Sequence, residues 1–170
     1  DHGVSFIHAK ATLYDGGTKV ACLMQWPGRL PAGMRHDGLT SHVDVLPTLF
    51  DLMGVGVPPH VEGRSLAPVL RSDAPNERAY VLAEKNVTNF FDPSRMARSH
   101  RYKYIRKGLR SCIFDFQIPE VEQSAWGWRR NRTVSSFYPA RRTTEELYDL
   151  EADPGEMQNL AEEKECGIVL

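Results

Sequence analysis

Eight residues, RSDAPNER at positions 71–78, divide the chain into two kinds of pattern. Before them, apolar residues come in a solid run and then at helical spacing. After them, apolar and basic residues alternate. A period near 3.6 belongs to helices and a period of two to half-buried strands, so the two stretches cannot share one secondary structure. The polar, Pro-containing break is where such a switch is cheapest for the backbone.

Upstream of the break, TKVACLMQWPG reads as a buried strand over Val20–Trp26, stopped by Pro27-Gly28. RLPAGMRHDG reads as loop. DVLPTLFDLMG predicts a helix with Asp44 as N-cap. Pro47 falls in its first turn, where a missing N–H costs nothing. Val45, Leu46, Leu49, Leu52 and Met53 form its apolar stripe, and Gly54 is its stop. GVGVPPHVEG is a connector, and SLAPVL a short helical turn.

Downstream, AYVLAEKN is a strand candidate. ARSHRYKYIRKG alternates basic residues with Tyr102 and Tyr104 as a strand, and SCIFDFQI is its expected partner. ELYDLEADPGEMQNLA predicts a strand, a turn at Asp153-Pro154-Gly155 and the start of a helix. Strands closed by a terminal helix make a small antiparallel sheet with a helix on one face.

Charge is unevenly spread. Net charge is −1, yet residues 95–142 hold twelve Lys or Arg against three acids, and residues 143–170 hold nine acids against Lys164. The two blocks either neutralise each other or leave a basic surface that focuses an anionic ligand. Cys22, Cys112 and Cys166 form no C-x-x-C pair, which indicates neither a disulfide framework nor a zinc knuckle. No apolar run approaches the roughly 20 residues a membrane helix needs, so no membrane partner is expected. WGWRRNR interleaves aromatics with arginines, but no nucleic-acid-binding pattern accompanies it. Asn86-Val87-Thr88 and Asn131-Arg132-Thr133 are glycosylation sequons that bear on the protein only in a secretory compartment.

The opening DHGVSFIHAKATLYDGG holds the candidate chemistry. Asp1 offers a hard oxygen to a divalent cation, and His2 a second ligand or a hydrogen bond to an anion. Lys10 carries a point charge suited to a tetrahedral oxyanion. On these residues alone, a capped turn and a solvated lysine explain the stretch equally well.

The order of motifs adds to this. D-H-G, K-x-T-L-Y-D-G-G-T-K-V, W-P-G, S-H-V-D-V-L-P-T-L-F-D-L-M-G and E-G-R-S-L-A-P-V-L resemble the later part of type I sulfatases of the alkaline phosphatase superfamily. The span Asp1–Lys10 and the closing YPARRTTEELYDLEADPGEMQNLA are most similar to the N-sulfoglucosamine sulfohydrolase (heparan N-sulfatase) branch. The resemblance implies an α/β fold that is α+β in its C-terminal part. Residues 1–73 would end the catalytic α/β domain, and residues 74–170 would form the antiparallel-sheet subdomain with a C-terminal helix. It implies Asp1 and His2 at a Ca2+ site and Lys10 on the sulfate, where that branch commonly has Arg. His8 is a candidate proton donor or a packing residue.

The resemblance also implies hydrolysis of sulfate esters or N-sulfate groups on sulfated sugars of the glycosaminoglycan kind, in a periplasmic, secreted or lysosomal setting. The nucleophile would be a formylglycine made from an upstream Cys or Ser. None of the three cysteines is followed by P-S-R, and FDPSR places Phe91 where that residue would stand. The stretch 1–170 by itself is therefore expected to be inactive. A phosphodiesterase or phosphonate hydrolase of the same superfamily is the nearest rival, favoured by a Thr nucleophile upstream. A non-catalytic polyanion-binding module is another, favoured by salt-dependent heparin retention without turnover.

Overall fold

In a computed structural model, the chain is described at residues 8–72, 74–75, 78–87, 91–108 and 143–162. It forms two compact units, residues 22–81 and residues 1–21 with 82–170. Asp1, His2, the SCIFDFQI segment, WGWRRNR and the Asn131 sequon lie outside the described residues.

The larger unit is built on a four-stranded sheet in the order β1-β2-β3-β4. The strands are Val81–Val87 (β1), Phe91–Arg98 (β2), Tyr102–Lys107 (β3) and Glu145–Asp149 (β4). The pairs β2–β3 and β3–β4 are antiparallel. Tyr102 and Tyr104 lie on a strand, as the alternation predicts, and ELYD forms β4. The class is α+β, as expected for the C-terminal part.

β2 was not expected. FDPSR looks like a strand breaker because Pro93 has no N–H to give a ladder. Here its carbonyl accepts the Gly108 N–H at 2.7 Å instead. β4 is an outer strand, and Asn159 covers its open edge. The Asn159 amide accepts from Leu147 N–H at 2.9 Å and donates to the Glu145 carbonyl at 3.1 Å, as a neighbouring strand would. The helix expected after the Asp153-Pro154-Gly155 turn is a 3-10 turn, Leu160–Glu162, within the described residues.

One sheet face packs against the segment that begins at His8. Leu13, Met96, Ile105 and Tyr148 are its buried core, with Tyr14, Ala83 and Leu150 against them. Cross-strand register explains the grouping. Met96 sits opposite Ile105, and Ile105 opposite Glu146. Arg98 sits opposite Lys103, and Lys103 opposite Tyr148.

The smaller unit carries the helices α2 (Val45–Met53) and α3 (Ala67–Ser72); α1 (Asp15–Thr18) belongs to the larger one. Gly54 ends α2 at φ 71°, the left-handed stop expected of it, with Val55 N–H returning to the Phe50 carbonyl. Three expectations are corrected in this unit. Asp44 does not cap α2 with its side chain. It lies in a 3-10 turn, His42–Asp44, and its carboxylate reaches back to Ser41 N–H at 2.8 Å. It also takes Arg64 N–H at 2.9 Å and Arg78 Nη2 at 2.5 Å.

The second correction concerns the stripe on α2. Leu46 and Leu49 are 50% and 44% exposed, while Pro47 and Thr48 are buried. Within this unit, α2 is held by polar contacts. Thr48 Oγ1 accepts from Leu66 N–H at 2.8 Å, and Ser65 donates to Asp51 at 2.6 Å. The third is the strand over Val20–Trp26. No strand among the described residues pairs with it, and Leu23 is 95% exposed. An extended apolar run stays unassigned when it has no ladder partner.

Candidate functional site

Lys10 lies in a tight turn, residues 8–12. His8 and Ala11 both have positive φ, 64° and 65°, which few non-glycine residues adopt. The Thr12 N–H and hydroxyl both donate to the Ala9 carbonyl, at 3.1 and 2.6 Å. Lys85 on β1 donates to the Ala11 carbonyl at 3.0 Å and pairs with Asp92 on β2 at 2.6 Å. No hydrogen bond or ion pair ties the half-buried Lys10 side chain to another described residue.

The turn rests on α1 with no room to spare. A Cβ at Gly17 would stand 2.3 Å from the Ala9 carbonyl oxygen and 2.5 Å from that of Thr12. One at Gly16 would stand 2.8 Å from the His8 oxygen. This is what the D-G-G tripeptide is for: only glycine lets two backbones approach this closely.

α1 is in turn fastened to the sheet. Lys103 on β3 is 0% exposed, and its Nζ lies 2.5 Å from Asp15 Oδ1 and 2.7 Å from Glu156 Oε1. Arg98 reaches the other Asp15 oxygen at 3.3 Å. Glu156, at φ 55°, turns its carboxylate to take the Asp15 N–H at 2.5 Å. Burial pushes the Glu156 carboxyl up from its ordinary value, and Lys103 pulls it back down.

A second buried pair flanks the first. Lys107 is ion-paired with Glu146, which also accepts from the Tyr14 hydroxyl at 2.8 Å. Burial, then the Glu146 charge, drives the Tyr14 phenol far above its ordinary range, so it stays a protonated donor. His8 stacks on Tyr14 with ring centroids 3.6 Å apart. Burial lowers its pKa to about 4 against Glu146, which raises it, so the imidazole is neutral near pH 7.

The structure therefore brings His8 and Lys10 into one turn. Asp1 and His2 lie outside the described residues. Lys103, Lys107, Glu146 and Glu156 are not among the residues expected from the sequence. Lysines spaced at 103 and 107 around Ile105 on a strand of period two were the available signal: all three must share one face. Among the described residues, no group of three or more His, Cys, Asp or Glu is placed to hold a metal ion. The carboxylates of Asp15, Glu146, Glu156 and Asp92 are each engaged by a lysine. The described residues thus do not themselves fit a calcium site.

The sequence is similar to those of known sulfatases. An ulvan-active sulfatase of Formosa agariphila is 36% identical over 95% of this chain and 32% of its own length. A Delta 4,5-hexuronate-2-O-sulfatase of Bacteroides thetaiotaomicron is 30% identical over 94% of this chain and 27% of its own length. A solved 2-O GAG sulfatase superposes with a TM-score of 0.49 at 31% identity, over 74% of this chain and 21% of that one. The chain thus spans about a third or less of the length of these relatives. The family described as N-sulphoglucosamine sulphohydrolase, C-terminal, matches residues 3–116, two thirds of the sequence, and the chain belongs to that family of sulfatases.

Proposed function

We propose that this chain is the C-terminal portion of a sulfatase that hydrolyses sulfate esters or N-sulfate groups on sulfated sugars. Within it, Lys10 contacts the sulfate. The observation that carries the reading is the Lys10 turn itself. It holds a cation with no partner among the described residues on a backbone braced by glycines and ion pairs. Relatives named as sulfatases of ulvan and of 2-O-sulfated hexuronate support sulfated sugar as the substrate class.

The chemistry assigned to this chain is electrostatic. Negative charge grows on the leaving oxygen or nitrogen as the S–O or S–N bond breaks. A fixed ammonium stabilises that charge more than the ground state, provided no reorganisation is needed when it forms. His8, neutral and stacked on Tyr14, fits packing better than proton donation. A formylglycine nucleophile and a calcium ion, with Asp1 and His2 among its ligands, belong to the same proposal. They would supply attack on sulfur and charge neutralisation. So does the division into a catalytic α/β part, 1–73, and a sheet subdomain, 74–170.

Steady-state kinetics of the intact protein on a chromogenic aryl sulfate and on a 2-O-sulfated unsaturated disaccharide test the reading. Lys10→Ala is expected to lower kcat/KM roughly a hundredfold to a thousandfold, the scale seen when one preorganised donor is removed. Lys10→Arg should retain more activity. A Lys10→Ala enzyme within about twofold of wild type, well under 1 kcal/mol, would sink the sulfate contact.

A further inference from the structure

Lys103 is the most deeply buried charge among the described residues of the larger unit. A lysine is almost never fully buried unless paired. Here its two carboxylate partners come from opposite ends of the chain, Asp15 at 2.5 Å and Glu156 at 2.7 Å. The second of these also takes the Asp15 N–H at 2.5 Å. Four groups thus close on one another: an ammonium, two carboxylates and a backbone amide. The first turn of α1 can occupy only the place where all of them meet.

What rests on α1 is the turn of Lys10. Gly16 and Gly17 touch the backbone of residues 8–12 at distances that leave no space for a methyl group. On its other side, the turn is held by Lys85 through the Ala11 carbonyl. Lys10 makes no hydrogen bond or ion pair of its own to a described residue, so its backbone decides where its ammonium can go.

We propose that Lys103 is a positioning residue for Lys10. By locking Asp15 and Glu156 together under the sheet, it fixes α1, and through the two glycines it sets the path of the Lys10 side chain toward the tetrahedral oxyanion. The proposal rests on the reading of Lys10 as the sulfate contact. Misplacing a catalytic group by about 1 Å can cost roughly a hundredfold in rate, so an anchor this remote from the chemistry has a measurable effect.

A double-mutant cycle in the intact protein separates positioning from bulk stability. The variants are Lys103→Met, which keeps the length and removes the charge, Asp15→Asn, which leaves Lys103 paired with Glu156, and each combined with Lys10→Ala. All are assayed on a chromogenic aryl sulfate below their unfolding temperature. Lys103→Met is expected to lower kcat/KM at least tenfold, mainly through kcat, and Asp15→Asn to act in the same direction by less. In the Lys10→Ala background, both losses should shrink to within twofold, because the group they aim is gone.

Equal losses in both backgrounds overturn the proposal and make Lys103 a purely structural residue, as does wild-type activity for Lys103→Met. If Lys103→Met does not fold, the Asp15→Asn arm decides by the same criterion. A silent Lys10→Ala is a different failure: it removes the sulfate-contact reading and this inference with it.

Discussion

Tyr14 and Glu146 stand 132 residues apart in sequence, and the Tyr14 hydroxyl donates to Glu146 Oε2 at 2.8 Å. Lys107 pairs with the other oxygen of the same carboxylate. This triad seals the sheet beneath the His8 ring. Tyr14→Phe keeps the ring stack and deletes the hydrogen bond to the charged acceptor, together with the longer one that Lys107 donates to the hydroxyl at 3.3 Å, a loss of about 1.5–3 kcal/mol. Glu146→Gln breaks a buried ion pair from one side, which costs about 3–5 kcal/mol. Urea unfolding should rank Glu146→Gln below Tyr14→Phe, and both below wild type. The opposite order would show that the ion pair adds nothing.

Gly17 is the tightest approach in the candidate site. Gly17→Ala forces a methyl group against two carbonyl oxygens at 2.3 and 2.5 Å, neither of which belongs to a flexible side chain. Overpacking of this kind costs about 1–3 kcal/mol or more. Gly56→Ala meets nothing within 4 Å and serves as the control. Thermal unfolding should show a clear drop for the first and almost none for the second. Equal midpoints would mean that the backbone at Gly17 is not constrained.

His8 makes stability depend on pH in a definite direction. Folded, it titrates at about 4; in an unfolded chain it titrates near 6.5. Between these values the unfolded state holds more protons, so stability rises with pH across this window and is lost as acid is added. The slope contributed by one group is at most about 1.4 kcal/mol per pH unit. Glu146 and Asp153 work to keep the proton on, while burial, Lys103 and Lys107 work to remove it, and burial dominates. His8→Phe preserves the stack on Tyr14 and should flatten unfolding temperature between pH 4 and 6.5 relative to wild type. An unchanged profile would count against a buried neutral imidazole.

Asp44 holds the smaller unit together. It is 0% exposed and accepts from Ser41 N–H, Arg64 N–H and the Arg78 guanidinium. Asp44→Ala removes the acceptor of all three at once, with a cost of about 3–5 kcal/mol. Amide exchange should quicken across residues 41–53 and at Arg64 first. If exchange there matches wild type, the carboxylate is not what ties these loops.

Some of this architecture depends on local chemistry alone. The helix α2 and its stop at Gly54 follow from spacing and from a glycine that tolerates φ 71°. β3 follows from alternation, and the turn after β4 from Asp-Pro-Gly. The order of motifs from K-x-T-L-Y-D-G-G to E-G-R-S-L-A-P-V-L was enough to indicate the sulfatase family. Each is a property of residues within a few positions of one another.

Burial of charge is not such a property. Alternation places Lys103, Ile105 and Lys107 on one face of β3 but does not say that this face is the inner one. The structure turns it inward because Asp15 and Glu156 lie within 3 Å of Lys103, and Glu146 pairs with Lys107. A buried ammonium is costly alone and tolerable only beside its carboxylates. The same dependence explains the misses. Val20–Trp26 has a strand's composition but no partner strand, and Leu46 and Leu49 on α2 have a core stripe's spacing but half-exposed side chains. Periodicity says which residues share a face. What that face meets is decided by distant chain, as far as 88 residues from Lys103 in the case of Asp15, because hydrogen bonds and ion pairs count only where both partners arrive.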